Sequence, residues 1–86
     1  MCFLAEKLLS IAGLHYDDIK EIWVVPVHLP LVVTVESDES GQYIMDALVE
    51  VHDVLHAAGC TYNNVSTNGG YVSVVGITRV QVAAAA

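Results

Sequence analysis

Apolar residues first recur at helical spacing: Phe3, Leu4, Leu8, Ile11 and Ala12 share one side of a helix expected over residues 3–12. Gly13 follows where a helix closes on a left-handed residue, and His15-Tyr16-Asp17-Asp18 reads as a polar connection. The period then changes from helical to alternating. From Ile22 to Val27, β-branched and aromatic residues fill both alternating sets, the pattern of a strand covered on two sides. From Leu31 to Glu36 the alternation is cleaner, with Leu31, Val33 and Val35 on one face and Val32, Thr34 and Glu36 on the other. His28-Leu29-Pro30 is expected to turn these two strands into a hairpin, and Pro26 confines the first to an edge or a bulge because it has no N–H to give the ladder.

Ser37-Asp38-Glu39-Ser40-Gly41 then supplies capping groups and acids that complement a helix dipole, predicting a second helix that runs to about Ala58 and is closed by Gly59. At 100° per residue, Ile44, Ala47, Leu48, Val51, Val54, Leu55 and Ala58 form one arc, with Asp46, Glu50, Asp53 and Ala57 opposite. Met45, Val49, His52 and His56 occupy a further flank, giving the helix more apolar surface than one sheet needs to cover. That flank is the candidate interface.

Thr61 to Thr67 is a weak strand and Asn68-Gly69 a strong hairpin signal. Tyr71 to Val82 is expected as the longest strand, with Val72, Val74, Val80 and Val82 on one face, Tyr71, Val75 and Ile77 on the other, and a bulge or close approach at Gly76. The order α-β-β-α-β-β predicts an α+β fold: a four-stranded, mainly antiparallel sheet with two helices on one face, a circularly shifted ferredoxin-like arrangement. Residues 1–82 form one domain in this reading, and Ala83 to Ala86 a frayed tail. The open sheet face is expected to be valine-rich and to need covering by a second chain.

Composition strengthens that expectation. A chain of 86 residues makes one small domain, and such a domain buries only about 60% of its unfolded surface. Yet 55% of the residues are hydrophobic, above the roughly 45–50% usual even with glycine counted. The surplus points to a homo-oligomer, with a dimer as first expectation. Three Lys and Arg (Lys7, Lys20, Arg79) against ten Asp and Glu give a net charge of −7, which argues against direct nucleic-acid binding and against adhesion to an anionic membrane. A basic protein remains a possible partner. Asp17, Asp18 and Glu21 with Glu36, Asp38 and Glu39 form a candidate acidic patch, and the alternative function is that of a small phage-type acidic inhibitor of a basic or nucleic-acid-handling host protein.

Cys2 and Cys60 make no disulfide framework and are read as reduced thiols, Cys60 as a small buried hydrophobe. The start lacks the positive and sustained apolar regions of a signal peptide, and the apolar run from Ile22 to Val35 is broken by Pro26 and Pro30. A cytoplasmic protein is expected, in the host cytoplasm if of phage origin.

The sharpest chemical signal is His52-Asp53-Val54-Leu55-His56, two imidazoles on one side of a helical turn. It is similar to the HExxH motif of zinc metalloproteases, which implies metal ligation by His52 and His56. Asp53 stands where that motif has a glutamate, one bond short of a general base, which argues against proteolysis. Read without the motif, the pair is two semi-exposed histidines at the edge of an interface. Third ligands would have to come from His15, His28 or Cys60, none at a diagnostic spacing. No serine or cysteine stands in a nucleophile pattern, and Asn68-Gly69-Gly70 lacks the surroundings of a phosphate cradle. The leading expectation is a non-enzymatic protein–protein interaction module, without cofactor, that self-associates through its sheet and the Met45/Val49/His52/His56 flank.

Overall fold

A computed structural model describes residues 1–81. It is a small α+β domain of two helices and antiparallel ladders. Helix α1 (Phe3–Ala12) buries Leu4, Ala5, Leu8, Leu9 and Ala12. These span one contiguous arc once Ala5 and Leu9 are included. Phe3 therefore falls on the far side, 71% exposed, and Ile11 at the margin, although the sequence pattern set both on one side with Leu4, Leu8 and Ala12. Gly13 closes the helix at φ 92°. Its N–H bonds Ser10 O and the Leu14 N–H bonds Leu9 O, the paired bonds of a Schellman cap.

The segment expected as a polar connection forms strand β1 (His15–Asp17), which pairs antiparallel with β2 (Ile22–Val24). Two local features explain this. Tyr16 faces Trp23 across the ladder, their rings edge to face at 5.5 Å, and the Asp17 carboxylate accepts the N–H groups of Ile19 and Lys20, closing the turn as an Asx motif. Because β2 pairs there, the hairpin expected around His28-Leu29-Pro30 does not form, and residues 25–31 cross to β3 without strand structure. Pro26 and Pro30 have no N–H for such a ladder. The carbonyls of Val25, Pro26 and Val27 instead receive the Arg79 guanidinium.

The main sheet has three strands, not four, in the order β3 (Val32–Glu36), β6 (Tyr71–Val75), β5 (Asn64–Asn68). Registers Val33 to Val74 and Val35 to Val72 put four buried valines on one face, in one core with α1 and α2. The opposite face carries Thr34, Ser66, Ser73, Asn64, Asn68 and Glu36 alongside Val32, Val75 and Tyr71. It is mostly polar, contrary to the expected valine-rich face, because the pleat sends every second valine inward. Thr34 Oγ1 and Ser73 Oγ are hydrogen-bonded across it at 2.9 Å.

The long strand expected to Val82 breaks at Gly76. That residue has φ 74°, and a Cβ there would sit 2.5 Å from Asn63 Nδ2. The chain turns, and β7 (Thr78–Arg79) pairs with β4 (Cys60–Thr61) as a separate ladder. These ladders replace the expected four-stranded, circularly shifted ferredoxin-like sheet among the described residues. Val82 and the expected tail Ala83 to Ala86 lie outside them. The β5–β6 hairpin turns on Gly69 and Gly70, both at positive φ, with Asn68 the last residue of its strand.

Helix α2 (Gly41–Ala57) begins at Ser40, whose hydroxyl accepts the Tyr43 N–H at 3.3 Å, and ends before Gly59 at φ 74°. It buries Ala47, Val51, Val54 and Leu55 fully and Ile44 and Leu48 in part. Among the described residues no helix is long and apolar enough to cross a membrane.

Candidate functional site

The flank of α2 turned away from the core carries Met45, Val49, His52 and His56, all exposed, with Met45 at 59% and Val49 at 55%. The positive φ at Gly59 reverses the chain after the helix, so the β4–β5 segment returns beside this flank. It brings Tyr62 and Val65 against α2, and together with Met45, Leu48, Val49 and His52 they line an open groove of about 200 Å³. Its walls are aliphatic and aromatic, with polar atoms only at one end.

At that end His52 Nδ1 lies 2.8 Å from Tyr62 Oη, the two rings edge to face at 5.7 Å. His56, one turn on, holds its ring parallel to that of His52 at 6.4 Å between centres. Tyr62 is thus a site residue that sequence reasoning passed over. It stands alone as an aromatic between Thr61 and Asn63, and the Gly59 reversal was the available signal that it returns to the helix. Val65 was equally unmarked, within a segment rich in Asn, Ser and Thr.

The other proposed metal ligands do not gather here. His15 sits on β1, His28 in the crossing segment, and Cys60 is buried. Among the described residues no three His, Cys, Asp or Glu side chains converge as a metal cluster, so an ion at the histidine pair would have two protein ligands. Burial raises the Cys60 thiol pKa, and the neighbouring Arg79 charge only partly opposes this, leaving the sulfur protonated and a poor nucleophile at neutral pH. Glu50 is held below the usual carboxylate range by the Cys2 N–H, which it accepts at 2.9 Å.

The six acids of the proposed patch sit on different elements. Asp17 closes the β1–β2 turn with its side chain, and Asp18 and Glu21 lie on the same turn, Glu21 at φ 54°. Glu36 ends β3 and continues into Asp38 and Glu39, around a cleft of about 160 Å³ that Lys7, Phe3 and Tyr43 also line. Leu31, read on one strand face with Val33 and Val35, precedes β3 and is 84% exposed. Its carbonyl accepts the Gly76 N–H at the point where β6 ends.

Comparison with protein-family models, with curated proteins and with solved structures gives no match to this chain.

Proposed function

We propose that the chain is a small, non-enzymatic protein–protein interaction module that self-associates as a dimer through the outer flank of α2. The observation that carries this reading is the pair Met45 and Val49, each more than half exposed on a rigid helix and bordering an apolar groove. Apolar surface removed from water contributes about 25 cal/mol per Å², and a helix that already packs on its core spends little entropy in presenting it. A second copy is the simplest occupant, because a two-fold axis across the flank sets the same apolar residues against each other. The helix flank is proposed in preference to the sheet, whose outer face is mostly polar, with Val32 and Tyr71 half exposed on it.

The proposed setting is the cytoplasm, in keeping with two free thiols, Cys2 and Cys60. Size-exclusion chromatography with light scattering tests the reading. The wild-type chain is expected to run as a dimer at micromolar concentration, and a monomer there would overturn it.

A further inference from the structure

We infer that His52 and His56, oriented by Tyr62, form an open two-imidazole site for a divalent transition ion of the zinc type. This goes beyond the interaction module and uses the His52/His56 end of the same α2 flank, so the two readings meet at one surface. Three observations carry it. Spacing by four residues on α2 puts both imidazoles on one side of the helix. The contact between His52 Nδ1 and Tyr62 Oη, when the imidazole donates, fixes the tautomer that leaves the Nε2 lone pair free for a metal. A ligating histidine commonly uses its second ring nitrogen in this way, and such a partner orients the ring. The third is charge: the chain carries −7 overall, and Asp46, Glu50 and Asp53 lie on the same helix, a field that concentrates cations.

The geometry needs one adjustment. An ion about 2 Å from each ring nitrogen requires the ring centres to approach to about 5 Å, against 6.4 Å here. His56 is exposed and can make the rotation, while His52 stays fixed by Tyr62. The remaining coordination positions belong to water or a small ligand, which makes the site open and exchangeable rather than structural.

Zinc sulfate titrated into untagged protein, followed by calorimetry and by long-range proton–nitrogen spectra of the imidazoles, tests this directly. One ion per chain is expected, moving the ring-nitrogen signals of His52 and His56 and leaving those of His15 and His28 in place. Tyr62→Phe, checked for folding by circular dichroism, is expected to weaken zinc binding about 10-fold or more, and His52→Ala with His56→Ala to remove it. Unchanged zinc affinity in the double histidine variant would overturn the site, and unchanged affinity in Tyr62→Phe would overturn its orientation by the tyrosine. The association state of the metal-free protein bears on the interaction module alone.

Discussion

The outer face of the three-stranded sheet and the outer flank of α2 are both uncovered, yet they differ in chemistry. On the sheet, the strand period sends Val33, Val35, Val72 and Val74 inward and leaves Thr34, Ser66 and Ser73 outside, where Thr34 and Ser73 bond to each other. The half-exposed Val32 and Tyr71 stand apart there, with these polar residues between them. On the helix, Ala47, Val51, Val54 and Leu55 meet the core, while Met45 and Val49 still face outward beside an apolar groove. High valine content therefore does not by itself mark a sticky surface. A period-two pattern can hide its valines on one face, whereas a helix with apolar residues over more than one arc has nowhere to put the excess.

The largest effects are expected on the inner side of that helix. Leu55→Ala should cost about 2–5 kcal/mol, a large fraction of the stability of a domain this small, whereas Leu48→Ala, at the half-buried edge of the groove, should cost clearly less. Urea denaturation of the two variants ranks them, and equal costs would mean that the groove is as closed as the core. Next comes the break that ends β6. Gly76→Ala forces a Cβ against Asn63 at a backbone angle that disfavours side chains, with an expected loss of about 1–3 kcal/mol. Asn63→Gly in the same background should recover the part due to the clash and leave the part due to the backbone.

A smaller effect follows from Cys60. Its thiol pKa is raised by burial, so the folded state disfavours the thiolate. The stability this lends is fully present below the ordinary thiol value of about 8.5 and is lost as pH rises through the folded-state value. Urea melts of wild type and Cys60→Ala at neutral and at strongly alkaline pH should show the difference between them narrowing at high pH, and a constant difference would contradict it. The smallest effect is expected on the sheet's outer face. Thr34→Val removes one exposed hydrogen bond and should change stability by no more than about 1 kcal/mol, with no change in association state. A change in oligomer size here would mean that the sheet, and not the helix, meets the partner.

Much of this was legible in the sequence, for reasons specific to each element. α2 was readable from Ser40 to Gly59 because its caps and its periodicity agree. The β5–β6 hairpin was displaced by one residue, since the pair of glycines, and not Asn68-Gly69, meets the need for two consecutive positive φ angles. The partner of β2 was not readable. Whether Ile22 to Val24 pairs forward or backward is decided by the Tyr16–Trp23 contact and the Asp17 turn, in a strand of three residues too short to show a period. In the site, the exposed stripe of α2 followed from helix geometry alone. Tyr62 did not, because its place beside His52 depends on the path of the chain after Gly59.

The central claim is that the surplus apolar surface of α2, and not the sheet, holds two chains together. Sedimentation velocity of the Val49→Asp variant across a concentration series tests it most directly. A charge placed in an apolar contact is desolvated without compensation, so the account predicts a folded chain, by circular dichroism, whose dimer dissociates at least about tenfold more readily than wild type, a loss of about 1.4 kcal/mol or more. A folded Val49→Asp variant that remains a dimer at the wild-type dissociation constant would contradict it.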